Sequence, residues 1–237
     1  HASGDMNFST EHPSPLPPAV ANLLAKARME WQQRQFDAAE RSIQQVLALV
    51  PDNADALRMR GVMAQHRGDQ AMAAECFRRV LPVWPDDSDL RVGLGIALHE
   101  RGEIKEAMAH LRRACELDPG SALAWFNLGE ALWRQAHADE AVAALRRALE
   151  LAPAHLPARL SLAKAQASLG QVDDAVAGFR AVLRLDPGNA EGWFGLSNLN
   201  TVRFDAADTA SLRQTLARSG QSPRHRELLD FTLAKAL

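Results

Sequence analysis

The chain has 237 residues, with 27 Lys plus Arg against 29 Asp plus Glu and a formal charge of −2. That balance excludes the basic excess of a general nucleic-acid binder, and no apolar run approaches the roughly 20 residues of a membrane-spanning helix. Two cysteines, Cys76 and Cys115, are too few for a disulfide framework or a zinc site and read as small packed hydrophobes in helical patterns.

Residues 1–5, HASGD, read as a tag remnant ahead of Met6. Residues 6–19 read as a flexible N-terminal segment. Four prolines within MNFSTEHPSPLPP remove amide donors and block helix. No basic, apolar leader is visible, so the expected location is the cytoplasm. Abundant Ala, Arg well above Lys and the absence of Tyr point to a GC-rich bacterial gene.

From residue 20 the sequence repeats itself. Pro51, Pro85, Pro119, Pro153 and Pro187 are 34 residues apart each time. Four further columns keep that period: Ala27, Gly61, Gly95, Gly129, Ala163; Ala39, Ala73, Ala107, Ala141, Ala175; Ile43, Phe77, Leu111, Leu145, Phe179; and Val46, Val80, Ala114, Ala148, Val182. Five units follow, 20–53, 54–87, 88–121, 122–155 and 156–189. Apolar residues within each recur at three and four, so each unit is two helices. Gly68, Gly102 and Gly170 mark the turn between them, where a left-handed residue ends a helix. The proline closes the second helix. Asn53, Asp87, Ser121 and Asn189 then cap the next first helix, with His155 as a weaker cap. The small column marks close helix approach, and the large column is expected to fill the gap between one pair and the next.

The 34-residue period, with Trp125, Leu128-Gly129, Leu132, Ala141, Leu145, Ala148 and Pro153, resembles the tetratricopeptide repeat, TPR. The resemblance implies an all-α, right-handed superhelical solenoid of antiparallel helix pairs with a C-terminal helical extension. It implies a concave groove lined by first helices that binds a protein, a peptide or a second copy of the chain. The groove residues so implied are Leu24, Arg28, Trp31 and Gln32; Arg58, Val62, Gln65 and His66; Val92, Ile96, His99 and Glu100; Phe126, Asn127, Glu130, Trp133 and Arg134; Leu160 and Lys164; Phe194 and Asn198. Of these, Arg28, Trp31, Arg58, His66, His99, Phe126, Asn127, Glu130, Trp133, Arg134, Lys164 and Phe194 are the peptide-binding candidates. Aromatics supply anchor area and the cations can meet acidic groups.

Two known TPR recognition devices are not matched. The carboxylate clamp of chaperone-binding members needs Lys, Asn and Arg where this chain has Leu24, Arg28, Met59, Val92 and Ile96. The asparagine ladder that holds peptide backbone falls on Met59, Gly93, Asn127, Ser161 and Gly195, and only Asn127 fits. No phosphate loop or HExxH motif is present, and His66, His99 and Glu100 read as ordinary exposed helix residues rather than a metal site. No cofactor and no catalytic residue is expected in this chain.

Residues 190–237 depart from the period. Arg203 and Phe204 stand where earlier units turn, and Arg213 replaces a large apolar residue. Asp205 or a neighbour should cap a helix bearing Leu212 and Leu216. Ser219-Gly220-Gln221 should break it, and Ser222-Pro223 should start another. LSNLNTVRF and the later LLDFTLAKAL resemble the segment joining a TPR array to a sulfotransferase domain, where LANLKT-RF and HFALGKAL are typical. Asn200 for Lys and Asp230 near the usual His are the departures. The segment therefore reads as a degenerate sixth unit and linker helices leading to a missing domain, which would use 3′-phosphoadenosine-5′-phosphosulfate. The resulting expectation is the recognition or dimerisation arm of a sulfotransferase. The alternative is a stand-alone TPR scaffold of a bacterial assembly complex.

Overall fold

The computed structural model describes residues 16–199, 201–217 and 222–236. The expected tag remnant and most of the N-terminal segment, Asn200 and the Ser219-Gly220-Gln221 break lie outside them. The chain divides into two compact units at Pro85. The first carries Pro18–Gln32 (α1), Phe36–Leu49 (α2), Ala54–His66 (α3) and Gln70–Val80 (α4). The second carries Ser88–Glu100 (α5), Ile104–Leu117 (α6), Ala122–Arg134 (α7), Ala138–Leu151 (α8), Leu156–Ser168 (α9), Val172–Leu185 (α10), Ala190–Ser197 (α11), Ala206–Leu216 (α12) and Pro223–Ala236 (α13). Consecutive helices pair, α1 with α2, α3 with α4, α5 with α6, α7 with α8 and α9 with α10, and each pair within a unit packs on the next.

Local chemistry sets the boundaries. The prolines expected to block helix up to residue 18 instead start one. Pro17 stands at the N-cap and Pro18 at the first helical position, where a missing amide hydrogen has no cost. Asn53, Asp87, Ser121 and Asn189 each accept the expected amide hydrogen bond from three residues on. His155 caps as well, its Nδ1 accepting from the Ala158 amide at 3.0 Å. That bond requires an unprotonated Nδ1, and burial accordingly pulls the His155 pKa below its ordinary value. In α4 the helix stops early at Val80, two residues before Pro82.

The turn inside each pair is left-handed at one residue. Gly68, Gly102 and Gly170 have φ of +80°, +80° and +71°. The same column holds Arg34 at +59° and Ala136 at +61°, which the glycine pattern does not reveal. A 6→1 bond closes each turn, for example the Glu103 amide to Leu98 O at 2.9 Å and the His137 amide to Leu132 O at 3.0 Å. A side chain in the left-handed region costs about 1–2 kcal/mol, against about 0.5–1 kcal/mol for the extra freedom of an unfolded glycine. Ala136→Gly should therefore stabilise the protein by about 0.5–1 kcal/mol, raising the melting temperature by about 1–4 °C. A lower melting temperature by circular dichroism would contradict this account of the turn.

The small and large columns meet inside a pair rather than only between pairs. A Cβ on Gly61 would lie 2.6 Å from the Phe77 ring, and one on Gly95 or Gly129 would lie 2.6 Å from Leu111 or Leu145. These large residues pack against the glycine of their own pair, and Leu111 also shares a packed cluster with Ala124 and Leu128 of α7, in the expected gap to the next pair. Phe179 behaves differently. Its own pair has Ala163 at the small position, and α10 makes room for that methyl with Gly178. The Phe179 ring turns forward instead, beneath Gly195 of α11, where no Cβ could be placed without overlap.

A further tie recurs in the second unit at the start of α7, α9 and α11. The Trp125 indole N–H donates to Pro119 O at 3.0 Å. The Arg159 guanidinium donates to Pro153 O at 2.6 Å, and the Trp193 indole N–H donates to Pro187 O at 2.9 Å. Each reaches six residues back and fixes the loop from the preceding pair.

Beyond α11 the register changes. Asp205 caps α12 in a reciprocal box with Asp208. Leu212 is fully buried while Arg213 is exposed, so the core position has moved one residue. Asp208 also receives two hydrogen bonds from the Arg180 guanidinium of α10, that from Nη2 to Oδ2 measuring 2.7 Å. Helix α13 packs on α11 through buried Leu229 and Thr232. Lys235 Nζ donates to Ser197 O at 2.8 Å, at the C-terminal end of α11. Both cysteines are free and buried, and burial pushes the Cys115 thiol up to about 12, far from nucleophilic at neutral pH.

Candidate functional site

Within the second unit a cleft of about 200 Å³ opens between α5 and α7, over α6. Helix α5 supplies Ile96, His99 and Glu100, and α7 supplies Phe126, Asn127, Glu130 and Arg134. The spacings of three and four residues place each set on one helix face. Leu111 of α6 forms the floor. The same Leu111 that fills the space beside Gly95 therefore also closes the cleft.

The polar groups are unevenly satisfied. His99 retains 9% exposure, contrary to the expectation of an exposed helix histidine. Its Nδ1 lies 3.7 Å from Glu100 Oε1. A carboxylate only accepts, and although 3.7 Å is too long for a hydrogen bond, its charge favours the ring hydrogen on Nδ1, the tautomer that leaves Nε2 as an acceptor. Nε2 is buried with no hydrogen-bond partner among the described residues, as is Oε1 of Glu130. Arg134 stands 4.0 Å from Glu100 Oε1. Burial, followed by the Arg134 charge, lowers the His99 pKa, and the Glu100 and Glu130 carboxylates only partly oppose this. That shift favours the neutral ring. Asn127 donates its amide back to Leu123 O at 2.8 Å, within its own helix. Phe126 packs against His155 with the rings tilted by 52° and their centroids 4.7 Å apart, a neighbour that the sequence offered only as a cap.

Of the twelve expected binding residues, the structure brings together His99, Phe126, Asn127, Glu130 and Arg134. Trp133 and Lys164 form a separate neighbourhood. Lys164 Nζ lies 6.0 Å from the Trp133 ring centroid and hydrogen-bonds to the Glu191 carboxylate. Phe194 is 5.7 Å from Phe231 of α13. In the first unit, Trp31, Phe36 and His66 form an aromatic cluster with centroid separations of 4.9, 5.5 and 4.6 Å. There Arg28 pairs with Asp55 at 3.3 Å.

Three residues of the expected groove set are buried. Arg58 is only 4% exposed, its guanidinium 5.9 Å from the Trp84 ring. Leu24 and Val92 are 3% and 2% exposed and belong to the packed cores of their units. Helical position alone could not show this burial, because the core-facing and groove-facing stripes of a first helix adjoin.

Tetratricopeptide-repeat family models match residues 24–82 and 132–199, and a TPR-repeat model matches 95–135. The chain is a tetratricopeptide-repeat protein. Its solved structural neighbours have the same fold. It is similar to PilW, a widely conserved type IV pilus biogenesis factor, at 23% identity and TM-score 0.74 over 90% of this chain and 100% of that one. It is similar to MamA 41-end from Desulfovibrio magneticus RS-1 at 18% identity and TM-score 0.66, covering 74% of this chain and 99% of that one. YrrB, a TPR protein with an unusual peptide-binding site, aligns at 21% identity and TM-score 0.62 over 72% and 88% of the two chains. At such identities the likeness is one of fold. No curated protein matches this TPR protein in sequence.

Proposed function

We propose that this TPR protein is a non-enzymatic scaffold whose α5/α7 cleft seats a peptide segment of a partner. The observation that carries this is the combination of an apolar surface, Ile96 and Phe126, with two buried polar atoms lacking protein partners, His99 Nε2 and Glu130 Oε1. Such atoms cost about 1–3 kcal/mol each when left unsatisfied, and a bound peptide would relieve that cost. The peptide-binding site named for YrrB and the pilus role named for PilW favour a scaffold of an assembly complex. The finer reading, a recognition arm for a sulfotransferase domain, rests on residues 193–237 alone; the matching family models and the similar solved structures are those of TPR proteins.

Heptapeptides selected by phage display against the chain supply a probe. Phe126→Ala should weaken the selected peptides by about tenfold or more, the ordinary size of an aromatic anchor. Phe231→Ala, on α13, serves as the control and should leave them unchanged. Equal affinity for the wild-type and Phe126→Ala proteins would remove the cleft from consideration.

A further inference from the structure

The cleft's two unpartnered atoms are both acceptors, and this narrows what fits. Glu130 Oε1 belongs to a carboxylate, which has no hydrogen to give. His99 Nε2 is an acceptor in the tautomer favoured by the Glu100 carboxylate charge, 3.7 Å from Nδ1. A ligand with further carboxylates or carbonyls would add acceptors to acceptors. The cleft also holds two carboxylates, Glu100 and Glu130, against one cation, Arg134. Arg134 does not discharge Glu130: it stands 4.0 Å from Glu100 Oε1, while Glu130 Oε1 has no hydrogen-bond partner.

The acceptors come from different residues on different helices. An arginine fork suits two coplanar oxygens of one carboxylate. A lysine ammonium is compact and carries three rotatable donors, so it suits acceptors presented by two separate side chains. The apolar surface beside them, Phe126 and Ile96 over Leu111, is matched to an aliphatic stem or a neighbouring apolar side chain.

Resting on the reading of this cleft as a peptide site, we propose that it selects peptides by a lysine side chain, its ammonium donating to Glu130 Oε1 and His99 Nε2, beside an apolar residue seated on Phe126 and Ile96. The site would then be pH-dependent. His99 is faced by Glu100 on its own helix and by Glu130 and Arg134 on α7. A proton on Nε2 turns the acceptor into a donor that competes for Glu130. Affinity therefore falls as pH drops through the His99 pKa, which lies below the ordinary histidine value.

The test uses the displayed heptapeptides selected by the full chain, resynthesised with lysine or with norleucine at each lysine position, and read by fluorescence anisotropy. The expected result is enrichment of lysine next to an apolar residue, and loss of about tenfold or more on norleucine replacement, the scale of one charge-assisted hydrogen bond. Glu130→Gln protein should bind the two peptides within about twofold of each other, with a melting temperature no lower than wild type because the lost carboxylate had no partner. A lower melting temperature for Glu130→Gln would show that the carboxylate is structurally engaged and would overturn the proposal. Binding that ignores norleucine replacement yet collapses in Phe126→Ala would also overturn it, leaving the peptide cleft intact. Binding insensitive to both changes, or a selection that enriches nothing, would sink the cleft and the lysine preference together.

Discussion

Phe179→Ala is expected to destabilise the second unit by about 3–5 kcal/mol, the cost of removing a fully buried aromatic ring that its surroundings cannot replace. Phe179 is 1% exposed, and Gly195 above it has no side chain to collapse into the void. The cluster around it includes Ala163, Leu183, Trp193 and Leu196, so the loss loosens α10 against α11. Repeat proteins distribute stability by neighbouring contacts. Hydrogen exchange should therefore rise first in α11 and α13, with α5 to α8 still protected. Gly195→Ala would clash in the wild-type protein, but in the Phe179→Ala background its methyl enters vacated space. The double substitution should be less harmful than the sum of the two singles. A urea melt showing less than about 1 kcal/mol of loss, well below the ordinary cost of such a cavity, would mean the forward-turned ring is not a keystone of this packing.

Asp208→Ala should cost about 2 kcal/mol at neutral pH. The side chain closes the capping box of α12 with Asp205, a contact worth about 0.5–2 kcal/mol. It also accepts two hydrogen bonds from Arg180, whose side chain is 33% exposed, so the ion pair adds at most about 1 kcal/mol after solvent screening. Burial raises the Asp208 carboxyl pKa, but the Arg180 hydrogen bonds and the Asp205 amide more than offset this, leaving it below its ordinary value. The sign follows from that depression. The contribution is fully present above the unfolded carboxylate value of about 3.9 and is lost as pH falls through the lower folded value. Urea unfolding of wild type and Asp208→Ala should thus differ at pH 7 and converge under strong acid. A constant gap across that range would assign the effect to packing rather than to charge.

Much of this architecture is legible in the residues because the repeat multiplies weak signals. One proline or one alanine says little, but five in register at 34 residues fix the helix pairs, the caps and the turns. The left-handed turns of Arg34 and Ala136 escaped because neither residue type announces a positive φ; only their column does. The forward turn of Phe179 escaped because it depends on two substitutions at once, Ala163 for glycine and Gly195 opposite. At the cleft, helical spacing grouped Phe126, Asn127, Glu130 and Arg134, which line it together. It could not show that Arg58, Val92 and His99 are buried, nor that His99 Nε2 is unpartnered. Those facts depend on the tilt of one helix against another, which a one-dimensional pattern does not contain.

The ties from Trp125, Arg159 and Trp193 to the proline carbonyls have an optical consequence. An indole whose N–H is held by a backbone carbonyl emits differently from one hydrated by water. Trp125 reports on the joint leading into α7 and Trp193 on the joint leading into α11, while the joint between them, tied by Arg159, is dark. Two of the second unit's three tryptophans, the third being Trp133, thus stand at separate joints. With the remaining tryptophans changed to phenylalanine, the opening of each joint under denaturant or on ligand addition becomes separately visible without any attached dye.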